Sequence, residues 1–105
     1  MLGVLETRQV AWRRQHAQRH YVGYVTVTEH GVRLAGREQA TGIDVSLSIP
    51  HTAIRQVHVG STSAETVAGE PTVVLELCDE EPIYVRPLGD GTPDLDSFAR
   101  KFRSR

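Results

Sequence analysis

Residues 92–105 read T-P-D-L-D-S-F-A-R-K-F-R-S-R, and they predict an amphipathic α-helix over residues 93–104. Thr92 can cap this helix, and Pro93 suits its first turn. Apolar residues recur at the i, i+3, i+4, i+7 spacing that places them on one helix face, namely Leu95, Phe98, Ala99 and Phe102. We therefore expect a C-terminal helix that packs one apolar stripe against the rest of the chain.

Short runs of β-branched and aromatic residues precede this helix, and turn-forming residues separate them. In the run at 44–49, apolar and polar residues alternate strictly, as in a half-buried strand. The predicted strands cover residues 20–28, 32–35, 44–49, 55–59, 72–78 and 82–87, and the predicted loops include residues 36–42 and 60–71. No helical pattern connects one strand to the next. We therefore expect a mainly β fold, a small antiparallel barrel or sandwich of six to seven strands closed by the C-terminal helix.

The first 19 residues have two interpretations. Leu2, Val4 and Leu5 can start a strand, whereas residues 9–19 are rich in helix-forming Arg, Gln and Ala and contain neither Gly nor Pro. Trp12 is a large aromatic residue among polar ones, and we expect it to pack against the body of the domain. Strand and helix both remain open for this N-terminal segment.

Length and charge limit the range of partners. The chain has 105 residues and a formal net charge of -1, so we expect a single domain over residues 1–105 and no nucleic-acid partner. Residues 1–20 carry four arginines against one glutamate, which gives +3 and leaves -4 for the rest. A basic segment on an acidic body is compatible with binding an anionic small molecule or a membrane surface.

Cysteine use and hydropathy indicate a cytoplasmic protein. Cys78 is the only cysteine, which excludes an intrachain disulfide, and we expect it to be buried or half-buried. The N-terminus has no signal-peptide pattern, and every apolar run is far shorter than the ~20 residues that a membrane span needs. Arginine greatly outnumbers lysine, since Lys101 is the sole lysine, and this bias is typical of a GC-rich prokaryotic genome.

The chain from Tyr21 onward resembles the pleckstrin-homology-like superfold in its GRAM and bacterial PH versions. The similarity covers about four fifths of the chain and follows the hydrophobic pattern of four segments. These are YVGYVTVTEHGVRL (21–34), VSLSIPHTAIRQVHV (45–59), VVLELCDEEPIYVRPL (73–88) and FARKF (98–102). The resemblance implies a seven-stranded barrel, so residues 2–12 would supply one strand. It also implies a homo-oligomer, because bacterial relatives are associated with oligomers.

A second resemblance, to PilZ domains that bind cyclic di-GMP, involves the arginines ahead of the first predicted hairpin. Arg13, Arg14 and Arg19 resemble the RxxxR motif of that family, and Asp44 with Ser46 resembles the start of its D/N-x-S-x-x-G motif. Arginine side chains suit a nucleotide because they stack on guanine and pair with phosphate. The spacing from Arg14 to Arg19 is one residue longer than in RxxxR, and Ile49 occupies the position of the final glycine in the second motif.

Other chemistry-bearing residues have plainer structural explanations. His16 and His20 could bind zinc from one helix face, but no third ligand lies near them in the sequence. The acids at residues 79–81 are typical of a solvated turn. Ser46 and Ser48 lack a nucleophile-elbow motif, and the chain has no glycine-rich phosphate loop. We therefore expect a protein that is not an enzyme and that has neither a metal site nor a cofactor.

These features favour a non-catalytic interaction module that acts through a protein partner or through self-association. An exposed strand edge, or the groove between the terminal helix and the barrel, would be the contact surface. The alternative is a sensor of an anionic ligand, either a cyclic dinucleotide or a lipid headgroup. The residues that would bind this ligand are Arg13, Arg14, Arg19, Asp44 and Ser46.

Overall fold

Strands dominate the structure, a computed structural model that describes residues 4–17, 19–89 and 94–103, with side chains from Thr7 onward. In chain order the described strands are β1 (Val4–Arg14), β2 (Tyr21–Thr28), β3 (Gly31–Glu38), β4 (Asp44–Pro50), β5 (Ile54–Val59), β6 (Thr66–Val67), β7 (Glu70–Pro71), β8 (Val73–Leu77) and β9 (Ile83–Pro87). The described helix is α1 (Leu95–Arg100), and a 3-10 turn (His51–Ala53) joins β4 to β5.

The seven longer strands form one antiparallel sheet in the order β4-β3-β2-β1-β9-β8-β5. This sheet curls into a half-barrel with β4 and β5 at its two edges and β1 between β2 and β9. The predicted fold class, mainly β and antiparallel with a C-terminal helix, is confirmed.

Strand β1 answers the question that the N-terminal sequence left open. It pairs with β2 over Val4–Trp12 and with β9 over Val10–Arg14, so its backbone is paired on both sides between Val10 and Trp12. Val10 and Trp12 face the core and are fully buried. Pairing on both sides outweighs the helix propensity of Arg, Gln and Ala in this segment, because intrinsic propensity is only a weak preference.

The main core lies inside the curled sheet, where β-branched and aromatic side chains from every long strand meet those of α1. Its fully or nearly fully buried members include Trp12, Val25, Val27, Leu34, Leu75, Ile83, Val85, Phe98 and Phe102. The Trp12 indole packs on Tyr21 with ring centroids 4.7 Å apart and donates a 3.3 Å hydrogen bond to the Ala35 carbonyl. Trp12 therefore fastens β1 to β2 and β3 from within the core.

The C-terminal helix contributes the apolar stripe that its sequence predicts. Phe98 and Ala99 are buried and Leu95 is half-buried, while Phe102 is buried just beyond the helix end. The cap differs from the prediction, because Asp94 is the N-cap and accepts a 2.7 Å hydrogen bond from the Ser97 N–H. The described helix is accordingly shorter than residues 93–104, and Thr92 and Pro93 lie outside the described residues.

Two predicted loops contain strand structure. Strand β3 continues through Glu38 because residues 36 and 37 pair with both β2 and β4, although a loop was expected from residue 36. The predicted loop over residues 60–71 contains the β6–β7 hairpin, which bends through Ala68 and Gly69 at positive φ. Val67 of this hairpin is buried on the outer face of the sheet, against Ala11, Val74 and Tyr84.

Candidate functional site

Arg13 holds the β6–β7 hairpin on the outer face of the sheet. Its Nε donates to the Thr66 carbonyl at 2.9 Å, and its Nη2 donates to the Ala64 carbonyl at 2.8 Å. Its Nη1 lies within 3.3 Å of the carbonyls of Arg14, Gln15 and Ala17. The guanidinium also lies over the Tyr84 ring, 4.7 Å from the centroid. The donors of Arg13 are thus directed at backbone carbonyls of this chain.

Arg14 and Arg19 each pair with a different acidic side chain. Arg14 Nη1 lies 3.4 Å from Glu80 in the turn between β8 and β9. Arg19 Nη1 lies 2.8 Å from Glu38 at the end of β3. The three arginines that the PilZ resemblance grouped therefore have three separate sets of contacts in the described structure.

Asp44 and Ser46 lie side by side on the outer face of β4. Asp44 accepts two hydrogen bonds from Arg37, at 2.9 and 3.4 Å, and this pairing lowers the pKa of the Asp44 carboxyl. Both residues line a shallow groove of about 350 Å³ on the outer face of β2, β3 and β4. Its other lining residues include Val22, Tyr24, Ala35 and Arg37. None of the three predicted N-terminal arginines lines this groove.

The other chemistry-bearing residues are dispersed. His16 Nε2 is 3.9 Å from Glu81, and the described residues contain no group of three His, Cys, Asp or Glu that could hold a metal ion. Ser46 and Ser48 are exposed, while His51 bonds the Thr28 carbonyl and His58 bonds Glu76. Cys78 is exposed, contrary to expectation, because it lies just beyond the end of β8.

The outer edge of β4 presents a row of backbone groups that no described strand covers. Glu38 N–H bonds the Ile43 carbonyl, and His51 N–H bonds the His30 carbonyl. Hydrogen-bonded pairs alternate with non-bonded pairs in an antiparallel ladder, so the residues between these two bonds that face β3 are Val45, Leu47 and Ile49. The N–H and C=O groups of Asp44, Ser46 and Ser48 consequently point outward.

The opposite edge strand, β5, is partly covered by the C-terminal segment, which bonds one of its outward carbonyls. Helix α1 packs on β5 and β8. The Arg103 guanidinium, just beyond α1, donates a 3.1 Å hydrogen bond to the Val57 carbonyl. In the ladder between β5 and β8, Val57 lies between two hydrogen-bonded residue pairs. Its carbonyl therefore points away from β8, toward the outer edge of the sheet. Of the two sheet edges, β4 is the one that the described residues leave open.

Two large apolar side chains are exposed in the described structure, and one of them, Ile43, lies at this edge. Ile43, which immediately precedes β4, is 58% exposed, and Tyr24 on the outer face of β2 is 56% exposed. On the inner side of β4, Val45 and Leu47 are only half-buried, whereas Ile49 is buried. The row formed by residues 43, 45, 47 and 49 is therefore apolar throughout and partly open to solvent.

The residues that distinguish the two edges carry little signal in the sequence. Arg103 lies among the basic residues Arg100, Lys101 and Arg105 in the sequence, and its acceptor is a backbone carbonyl 46 positions away in the chain. Ile43 falls in a polar stretch ahead of the predicted strand. The one available signal was the strict alternation of residues 44–49, which indicates a strand with one solvated face.

Comparison with known proteins gives a fold and no function. No protein-family model matches the chain, and no curated protein matches it. The crystal structure of the C-terminal domain of an unknown protein from Leishmania infantum is similar, with a TM-score of 0.59 and 15% sequence identity. The match covers 92% of this chain and 77% of that one. Among the described residues, no helix has the length and apolar character that crossing a membrane requires.

Proposed function

We propose that this chain is a non-catalytic PH-like interaction module that associates with a second copy of itself by strand addition at β4. The seven long strands and the C-terminal helix support the PH-like assignment, since the resemblance implies this element count. The observation that carries the function is the open outer edge of β4 opposite the partly covered edge of β5. Strand addition supplies main-chain hydrogen bonds to an exposed sheet edge.

A second copy suits this edge because β4 is self-complementary. In an antiparallel pairing centred on Ser46, Asp44 lies opposite Ser48 of the partner subunit, and Ser46 lies opposite Ser46 of the partner subunit. Each of the outward N–H groups then meets an outward C=O group, and no like charges face each other. A two-fold contact of this kind uses the same surface on both copies.

The inner row of β4 gains apolar contacts in the same register. Val45 lies opposite Leu47 of the partner subunit, and the exposed Ile43 lies opposite Ile49 of the partner subunit. Burial of these side chains adds a hydrophobic contribution to the backbone hydrogen bonds. The pairing therefore buries the side chain of Ile43, which is 58% exposed in the described chain.

The short edge limits the affinity. Each backbone hydrogen bond adds only about 0.5–1.5 kcal/mol net, and association itself costs about 4–15 kcal/mol. We therefore expect a reversible dimer with a dissociation constant roughly between micromolar and millimolar. Backbone and apolar contacts dominate, so the association should resist added salt.

Light scattering and sedimentation over a range of protein concentrations, at low and high salt, test this function. We expect the mean mass to rise from one copy toward two at both salt levels. Ser46→Pro should abolish the rise, because proline removes an outward N–H without removing a bond to β3. Ser46→Ala retains that N–H and should associate as the unchanged chain does.

Circular dichroism establishes that both Ser46 variants keep the fold. A mass of one copy throughout the concentration range would contradict the proposal. Undiminished association of a folded Ser46→Pro protein would place the contact elsewhere on the surface and would likewise overturn it.

A further inference from the structure

A small basic pocket lies at the seam between the end of α1, β5 and the 3-10 turn that follows β4. We call it the seam pocket, and its lining residues include His51, Arg55, Gln56, Val57, Phe102 and Arg103. Its volume is about 150 Å³. Pockets that enclose drug-sized ligands have roughly 300–1,000 Å³, so this one suits a single small group.

Three basic residues from separate elements line the seam pocket. Arg55 comes from β5, and its Nη2 lies 2.8 Å from a Glu76 oxygen. Arg103 follows α1, and its Nη2 donates to the Val57 carbonyl at 3.1 Å. Each of these bonds fixes a guanidinium while using only part of its five-donor fork. Two of the lining residues therefore carry guanidinium groups that are held in place by bonds within this chain.

His51 supplies the third basic group. Its Nε2 lies 2.8 Å from the Thr28 carbonyl, and a carbonyl can only accept, so Nε2 carries the proton. Its Nδ1 is buried and has no hydrogen-bond partner among the described residues. An unpaired polar atom in a buried position is uncommon and calls for a ligand or a water.

The charge around the seam pocket is positive in the described structure. Glu76 is the carboxylate nearest to Arg55, and it is shared with His58 through a 2.7 Å contact. None of the ion pairs among the described residues involves Arg103. The two guanidinium groups therefore outnumber the carboxylates that contact them.

We infer that the seam pocket binds the phosphoryl group of a small, soluble phosphate ester. Guanidinium forks match the spacing of phosphate oxygens, and charge-assisted hydrogen bonds of this type are about twice as strong as neutral ones. A phosphoryl group can accept from Arg55 and Arg103 through two different oxygens and keep a third for another donor, whereas a carboxylate has only two oxygens. Phe102 forms an apolar wall beside the site.

Nuclear magnetic resonance on the full chain tests this inference. The imidazole signals of His51 and the Nε signal of Arg103 should shift and saturate with inorganic phosphate and with glycerol phosphate. Acetate and chloride at the same ionic strength should produce no saturating shift. Equal responses to acetate or chloride, or no response to either phosphate, would overturn the inference.

Substitution of Arg103 also removes the bond that holds the end of α1 to β5. A second variant, at Arg55 on β5, separates phosphate binding from this loss. Arg103→Gln and Arg55→Gln should each weaken phosphate binding by about tenfold or more. Arg100→Gln, an exposed arginine on α1 outside the pocket lining, should leave it unchanged. Retained affinity in both pocket variants, while they remain folded, would contradict the assignment.

Sedimentation with vesicles distinguishes a lipid phosphate from a soluble phosphate ester. Phosphatidylcholine vesicles with and without phosphatidic acid can be sedimented with the unchanged chain and with Arg103→Gln. We expect no phosphatidic-acid-dependent sedimentation. Binding to these vesicles without any response to glycerol phosphate would overturn the assignment to a soluble ester.

Discussion

The guanidinium of Arg13 lies 4.7 Å from the centroid of the Tyr84 ring and joins the central strand β1 to the hairpin over the outer face of the sheet. Tyr84 is itself nearly fully buried beneath that hairpin. Arg13 thus contributes a cation–π contact and several charge-assisted hydrogen bonds to one local assembly. Together with the burial of Val67, these contacts hold the β6–β7 hairpin against the sheet.

Arg13→Lys should destabilise the chain by about 2–4 kcal/mol, because lysine keeps the charge but cannot reach the Ala64 and Thr66 carbonyls with a planar fork. Urea denaturation measures this loss. Arg14→Lys is the neighbouring control, since its exposed pair with Glu80 should contribute less than about 1 kcal/mol. Equal stability of the two variants would show that the Arg13 contacts add little.

The role of Arg13 could not be predicted from the sequence for a physical reason. Its acceptors are backbone carbonyls, which every residue type carries, and two of them lie more than fifty positions away. The arginine motif that suggested a nucleotide site is a statement about residue types alone. Patterns of residue type identify side-chain chemistry but carry no information on whether the donors already have backbone acceptors.

The fold was more predictable because burial leaves periodic signals. The helix stripe from Leu95 to Phe102 and the alternation of residues 44–49 both arise where one face meets the core and the other meets solvent. Strands β8 and β9 carry less of this signal, since Val74 and Tyr84 are buried on the outer face by the hairpin. Strand β1 lacked a clear signal because its long polar side chains are compatible with either helix or strand.

Gly23→Ala should separate β2 from β3 at a close backbone approach. A Cβ at Gly23 would lie 2.1 Å from the Ala35 carbonyl oxygen, which is backbone and cannot rotate away. Overpacking of this kind costs typically about 1–3 kcal/mol. Thermal and urea denaturation should show a clear loss of stability. A variant as stable as the unchanged chain would mean that the two strands can shift apart without penalty.

Acid should destabilise the chain partly through Glu76. Its pKa is lowered from the ordinary value of 4.5, first by the hydrogen bond from Arg55 and then by that from His58. A carboxyl with a lowered folded-state pKa contributes stability above its unfolded value, and this contribution disappears as the pH falls through the folded value. Stability should therefore decline as the pH drops below about 4.5.

Glu76→Gln removes this titration, so its melting temperature should fall less between neutral pH and about pH 3 than that of the unchanged chain. Glu29→Gln changes an exposed carboxylate on the β2–β3 turn and serves as the matched charge control. An identical acid-induced fall in melting temperature in the Glu76→Gln and Glu29→Gln proteins would show that the pairing of Glu76 with Arg55 and His58 contributes nothing to stability.

Association through β4 should depend on Ile43 and be independent of Tyr24. The two side chains are exposed to similar extents, at 58% and 56%, but only Ile43 continues the apolar inner row of the edge strand. Ile43→Lys would place a charge opposite Ile49 of the partner subunit and should abolish dimerisation in light scattering. Tyr24→Lys removes a similar exposed apolar area from the outer face of β2 and should leave the mass unchanged. The reverse result, with only Tyr24→Lys dissociating the dimer, would place the interface on the outer sheet face.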